Sequence, residues 1–245
     1  MPVASTISVT GLSFTYAGSA PALQEVSFDI PAGETVGLIG PNGAGKTTLF
    51  LCLAGVLPVR QGKVSVCGLN PSIAEERRKL PTHVGVVFQN SDDQLFNATV
   101  FDDVAFGPLN LGLHPDEIRQ RVQAALAMVG LPGFESRVPF HLAGGEKRRV
   151  ALAGVLAMRP EVLLLDEPTV FLDPRGRREL QKFLGDLPGT KLIATHDLEF
   201  VLATCRRVLL LDAGRIAADG PAEAILADAS LMESHGLEVP ASMKR

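Results

Sequence analysis

Several things are scarce in this chain of 245 residues. It has no tryptophan and one tyrosine, and its three cysteines, Cys52, Cys67 and Cys205, are isolated and odd in number. They show neither disulfide nor metal-type spacing, so a disulfide framework is excluded and a reducing compartment is expected. No apolar run approaches the roughly 20 residues that span a bilayer, and the longest is Val150–Met158. Met1 leads into a strand-like segment without the charged leader and apolar core of a signal peptide. The chain is therefore expected to be soluble, yet able to dock on a membrane protein. A positive excess is also missing: the net charge is −4, which argues against a dedicated nucleic-acid binder. Two basic groups, Lys147–Arg149 and Arg175 with Arg177 and Arg178, fall in helical stretches and read as solvated helix faces. Internal repeats and low-complexity linkers do not occur.

What is present is ample apolar material, 46% of residues, enough for a sizeable core. The first third reads as strands Ile7–Thr15, Val26–Ile30 and Thr35–Ile39, punctuated by Gly18–Pro21 and Pro31–Gly33. Gly62–Val66 and Val84–Phe88 follow as further strands. Ile118, Val122, Ala125, Leu126 and Val129 then recur at helical spacing, opened by Pro115–Asp116 and stopped by Gly130. Helix Gly145–Met158, strand Val162–Leu165, helix Arg175–Leu184, strand Lys191–Thr195 and helix Asp197–Ala203 come next. Strands Arg207–Leu211 and Arg215–Ala218 complete the alternation. Strands alternating with helices predict an α/β fold with a largely parallel sheet covered on both faces. The segment 230–245 is weakly periodic and is expected to be a peripheral tail.

The chemistry starts at Gly40–Leu49, GPNGAGKTTL, between an apolar strand and an apolar helix. Gly40, Gly45, Lys46 and Thr47 meet the phosphate-loop pattern, with Thr48 one place on. Backbone N–H groups across Gly40, Asn42, Gly43, Ala44 and Gly45 can curl around phosphate oxygens, aided by the new helix's dipole. Lys46 can reach the β- and γ-phosphates, and the Thr47 hydroxyl suits Mg²⁺. The expectation is a nucleoside triphosphate site. Its second half is Val162–Glu167, VLLLDE, a buried strand that delivers carboxylates to the sheet's C-terminal edge. Asp166 is placed to hold Mg²⁺ through water, and Glu167 to accept a proton from an attacking water. About 120 residues separate Lys46 from Asp166, longer than in small phosphate-loop kinases and GTPases. That gap holds Leu142-Ala143-Gly144-Gly145-Glu146, a Gly-Gly turn opening a helix and offering a second set of free N–H groups.

With Gln89 at a strand end, Leu172–Asp173 and Ala194-Thr195-His196-Asp197, these elements stand in the order of the ATP-binding-cassette ATPases, which the chain resembles over nearly its whole length. The resemblance implies a mixed, mostly parallel sheet, an N-terminal antiparallel β subdomain and a helical insertion. It divides one cassette into a core (1–88 and 159–229), a helical subdomain (89–158) and a tail (230–245). It also implies head-to-tail pairing of two cassettes, each ATP lying between one phosphate loop and the other protomer's signature turn, Ala143–Glu146. By the same resemblance Tyr16 stacks on adenine, Gln89 ligates Mg²⁺ or orients water, His196 reaches the γ-phosphate, and Asp173 belongs to a loop crossing the dimer seam.

A narrower resemblance lies in Gln89–Pro108, QNSDDQLFNATVFDDVAFGP, and in EKRRVALAGVLAMRPEVLLLDEPT. Both are similar to the ATPases of energy-coupling-factor transporters, especially the cobalt and nickel branch. There a helix near Asp92–Leu95 touches arginine-bearing coupling helices of a transmembrane subunit, so Asp92, Asp93 and Gln94 become the implied contact and the cytoplasmic membrane face the implied place. The signature departs from the family pattern: Ala143 replaces Ser and Glu146 replaces Gln. A serine at 143 is expected to raise ATP turnover or ATP-driven dimerisation, because a hydroxyl bond to charged phosphate contributes roughly 1.5–3 kcal/mol. Glu146 would repel phosphate if it pointed inward. Val170–Phe171 also departs, adding bulk near the seam. The reading is an ATP-hydrolysing subunit driving a membrane importer with ATP and Mg²⁺, a homodimer being favoured because the chain holds both halves of a full site and ends soon after the cassette. The rivals are the ATPase of another importer class and a non-transport cassette acting as a dimerisation switch.

Overall fold

The computed structural model describes residues 5–170 and 172–244; Phe171 lies outside them. The chain opens with β1 (Ser5–Thr15), β2 (Pro21–Pro31), β3 (Thr35–Ile39), α1 (Lys46–Leu53) and β4 (Gln61–Val66). A one-turn α2 (Ala74–Arg77) and β5 (Val84–Val87) follow. Then come α3 (Val100–Asn110), α4 (Pro115–Met128), α5 (Gly144–Leu156), β6 (Val162–Asp166) and α6 (Pro174–Asp186). The chain continues through β7 (Thr190–Ala194), α7 (Leu198–Thr204), β8 (Arg207–Asp212), β9 (Arg215–Pro221), α8 (Ala222–Ala227) and α9 (Ala229–Ser234).

Two sheets result. β2-β1-β4 is antiparallel, and β5-β6-β7-β3-β8-β9 is parallel apart from β9, which runs antiparallel to β8. In β1, Ile7 and Val9 are buried at alternate positions, and the next buried residue is Leu12 rather than residue 11. The β1–β2 register shifts between Val9 and Leu12, so a bulge re-aims the alternation onto the core. The central strands have no solvent face: all five residues of β6 and of β7 are buried, as expected for parallel strands covered on both sides.

The sheet's two faces bury separate cores. Val36, Leu38, Val162 and Leu164 join Ile7, Val9 and Leu12 of the antiparallel sheet, with Leu49, Phe50 and Leu53 of α1 packed between the two sheets. Leu163, Leu165 and Ile39 face the other way, toward Val104, Val122, Val150, Phe200 and Val201 from the helices. Gly37 lets α7 settle on that face, since a Cβ there would lie 2.7 Å from Val201 Cγ1.

The predicted α/β class and the mostly parallel sheet are what the structure shows. In α3, Pro108 falls in the last turn, and Thr99 caps the start by accepting from Asp102 N at 3.2 Å. Two local expectations change. The helix expected near Asp92–Leu95 is a single 3-10 turn, Ser91–Asp93. The C-terminal segment is tied down rather than loose. Met232 is fully buried, the His235 ring meets Asp212 at 2.7 Å, and Ser242 donates through N and Oγ to Glu199 at 2.9 and 2.7 Å.

Candidate functional site

β3, β6 and β7 are neighbours, and their C-terminal ends bring together groups far apart in sequence. The phosphate loop leaves β3 at Gly40, whose φ of 150° and close neighbour leave no room for a side chain: a Cβ would sit 1.9 Å from Leu211 O. Gly45 has φ 107° and a Cβ there would meet Ala22 O at 2.5 Å. Glycine is required at both points for the turn to form. Asn42 and Gly43 are exposed at the loop tip, and Ala44 is buried beneath it.

Lys46 folds back over its own loop, with Nζ donating to Gly40 O at 2.6 Å and Pro41 O at 3.0 Å. Burial lowers its pKa, while the carboxylates of Glu167 and Asp166 pull it upward. Thr47 Oγ1 donates to Asp166 Oδ2 at 2.8 Å. Asp166 has its pKa raised by burial, with Glu167 adding to the rise and the Thr47 hydrogen bond, Lys46 and Arg148 opposing it. The Thr48 hydroxyl lies 3.2 Å from Tyr16 OH, and the Tyr16 ring rests edge-on against Phe14 with its outer part exposed.

Glu167 is buried at the end of β6 and held from three directions. Thr195 Oγ1 donates to Oε2 at 2.8 Å, His196 N donates to Oε1 at 3.1 Å, and His196 Nδ1 stands 2.9 Å from Oε2. Its backbone has φ 48°, a left-handed conformation that costs a non-glycine residue about 1–3 kcal/mol and gathers at functional sites. The bond from Glu167 N to Ala194 O at 2.7 Å anchors it to β7. The His196 ring is otherwise exposed. Gln89 follows β5, with an exposed side chain.

The signature-like turn stands apart. Among the described residues no hydrogen bond or ion pair joins Ala143–Glu146 to the phosphate loop. Glu146 accepts from Ala143 N at 2.9 Å, so its carboxylate turns back to cap α5. Ala143 has no side-chain oxygen to reciprocate, and only half of a capping box forms. Gly144 is exposed and Gly145 partly so. Ala143, Gly145 and Glu146 line a cleft of about 780 Å³ together with Leu172 and Asp173. Asp173 caps α6 by accepting from Gly176 N at 2.7 Å.

One expectation about a charged group needs correction. Arg148, read as part of a solvated face, is 6% exposed. Its NH1 donates to Phe88 O and to Gln89 O (2.8 Å), and its NH2 donates to Asp166 O and Glu167 O, each at 2.7 Å. Burial lowers its pKa to about 10, against the pull of Asp166 and Glu167, so it stays charged at neutral pH. The available signal was spacing: Arg148, Leu152 and Val155 share one buried helix face, at i, i+4 and i+7. At Asp92–Gln94 the side chains divide. Lys147 Nζ already donates to Asp92 Oδ1 at 2.7 Å. Gln94 turns inward, donating to Val86 O at 3.0 Å and accepting from Phe88 N at 2.9 Å. Asp93 is exposed.

Arg148→Met would leave four carbonyls without this donor, those of Asp166 and Glu167 buried and those of Phe88 and Gln89 partly so, and is expected to lower unfolding free energy by about 2–4 kcal/mol. Arg148→Lys recovers little, because a point donor cannot reproduce the planar fork. Urea unfolding measures both, and a loss below about 1 kcal/mol for Met would show the network to be dispensable.

Comparison with known proteins agrees with this geometry. The sequence profile of the ABC transporter family matches residues 23–170. The energy-coupling factor transporter ATP-binding protein EcfA of Methanothermobacter thermautotrophicus is 45% identical over 238 residues, which cover 96% of this chain and 76% of the relative. The solved structure of cbiO1 from Clostridium perfringens, described as part of the ABC transporter complex cbiONQ, aligns with TM-score 0.83 and 36% identity over 98% of this chain and 97% of its own. A dimeric post-hydrolysis cassette, MJ0796 bound to ADP and Pi, aligns with TM-score 0.79 and 25% identity over 88% of this chain and 98% of that one. Family profile, sequence relative and solved cassettes coincide: the chain belongs to the ABC transporter family, as an ATP-hydrolysing cassette.

Proposed function

We propose that the chain powers a membrane importer of the energy-coupling-factor type, with cobalt or nickel as cargo, by working as a head-to-tail pair of ATP-driven cassettes at the cytoplasmic membrane face. The observation that carries the ATPase mechanism is the suspension of Glu167 between Thr195, His196 N–H and the His196 ring, beside the Thr47–Asp166 pair. The importer type rests on the EcfA relative and the cbiO1 neighbour.

In this reading the phosphate-loop amides and Lys46 bind the triphosphate, Lys46 exchanging its loop carbonyls for β- and γ-phosphate oxygens. Tyr16 offers a ring to the adenine. Thr47 and Asp166, hard oxygen donors already in contact, fit a Mg²⁺ ion, with Gln89 as a further ligand; a buried carboxylate with a raised pKa gains from such a cation. When bound, Mg²⁺ supplies charge neutralisation across the phosphate oxygens. Glu167 takes the proton from the attacking water, and His196 donates to the γ-phosphate. The second copy contributes the turn Ala143, Gly144, Gly145 and Glu146, with the backbone N–H groups of Gly144 and Gly145 toward the γ-phosphate and Asp173 near the seam. Core, helical insertion and tail, divided at about 88, 158 and 229, move as the pair closes. The site for a transmembrane subunit is the exposed Asp93 with Asp92, above Gln94, beside a groove holding Phe96 and Phe106.

Glu167→Gln is expected to lower phosphate release by about 100-fold or more while ATP binding persists and the ATP-bound dimer accumulates in size-exclusion chromatography. Retained turnover would contradict the assigned base. Asp93→Lys is expected to break co-purification with the membrane subunit while the isolated chain keeps its ATP turnover. Uptake by the intact complex then tests the cargo: cobalt or nickel uptake supports it, and uptake of a vitamin alone overturns it.

A further inference from the structure

Outside the nucleotide site, three residues from three separate elements converge at the opposite edge of the parallel sheet. Cys67 follows β4, His83 immediately precedes β5, and Glu161 immediately precedes β6. β5 and β6 run parallel, so His83 and Glu161 stand at their N-terminal ends, while Gln89 and Asp166 stand at their C-terminal ends. The Cys67 thiol, the His83 imidazole and the Glu161 carboxylate each offer a ligand atom, and these atoms lie within 4.8 Å of one another. His83 Nδ1 and Glu161 Oε1 are 2.6 Å apart.

The backbones carrying these groups are fixed. Glu161 N and Val162 N both donate to His83 O, at 2.9 and 3.0 Å, and Thr190 N donates to Glu161 O at 3.0 Å. Cys67 N donates to Thr6 O at 2.7 Å, and Val66 and Leu69 exchange bonds of 2.8 and 2.9 Å that clamp the Cys67–Gly68 turn. Cys67 and His83 are partly buried and Glu161 is exposed, which leaves an open side for water. One sulfur, one nitrogen and one oxygen on such a frame match the donors of a tetrahedral zinc site with three protein ligands and one solvent position. Ligand atoms of such a site stand about 3.3–3.7 Å apart, so side-chain rotations of about an ångström suffice. A thiolate ligand disfavours Mg²⁺ and Ca²⁺.

We propose that Cys67, His83 and Glu161 form a site for one divalent transition-metal ion of the zinc class, separate from the nucleotide site. A bound ion links the turn after β4, in the antiparallel sheet, to the starts of two strands of the parallel sheet. The pairing is invisible to spacing rules, since the ligands are distributed along the chain as 67, 83 and 161.

Co²⁺ is the spectroscopic probe for Zn²⁺. Titrating it into the nucleotide-free full chain is expected to give one equivalent of binding, with tetrahedral d–d bands and a near-ultraviolet thiolate-to-cobalt charge-transfer band, all displaced by Zn²⁺. Cys67→Ser should abolish the charge-transfer band, and His83→Gln should weaken binding at least tenfold. Both variants should keep ATP turnover, which serves as the folding control. Zn²⁺ should raise Tm of the parent chain and not of Cys67→Ser. No charge-transfer band in the parent chain, or one that survives Cys67→Ser, overturns the proposal.

Discussion

Arg148 places one guanidinium among the carbonyls of Phe88, Gln89, Asp166 and Glu167. It thereby ties the ends of β5 and β6 to α5, the helix that begins at the signature-like turn. Both carboxylates of the nucleotide site belong to residues whose own carbonyls it holds. Few side chains other than arginine could do this, because four acceptors on two strands need a planar, multi-donor cation that remains charged when buried. The same network gives α5 a direct mechanical link to Gln89 and to the 3-10 turn at Ser91–Asp93. Lys147, the residue before Arg148, extends it outward to Asp92.

The polar groups of the site beside this network are partnered within the chain. Lys46 satisfies its ammonium on loop carbonyls, Thr47 on Asp166, and Thr195 and His196 on Glu167. Each of these polar groups is hydrogen-bonded within the chain, so phosphate binding exchanges hydrogen bonds rather than filling unmet ones. The left-handed backbone of Glu167 is a fixed cost that β7 offsets through Ala194 O and the Thr195 hydroxyl.

Much of this was legible in the sequence, for identifiable reasons. The buried strands announced themselves as continuous apolar runs such as Val162–Leu165, and the phosphate loop as a spacing that only a strand–turn–helix can use. Arg148 was hidden because its positive neighbours made a run that looks solvated, although its position on the Leu152–Val155 face was a readable clue. Gln94 was misplaced because a polar residue in an acidic turn normally points to solvent, whereas here the backbone ending β5 needs a donor and an acceptor. Tail packing was hidden because its anchors, Met232 and the Ser242–Glu199 bonds, depend on contacts more than 20 residues away. The convergence of Cys67, His83 and Glu161 is a product of topology alone.

Across one chain no hydrogen bond or ion pair among the described residues joins the phosphate loop to Ala143–Glu146, so in the proposed dimer a second copy completes each site. Mixing two singly defective chains tests it. Lys46→Ala removes a phosphate-loop function, and Gly145→Asp puts a carboxylate into the signature turn. Each variant alone has no complete site, but a mixed pair has one, formed by the intact loop of one chain and the intact signature of the other. Phosphate release should therefore return on mixing two silent preparations. If the mixture stays as silent as its parts while mixed dimers form, the sites are not shared between copies.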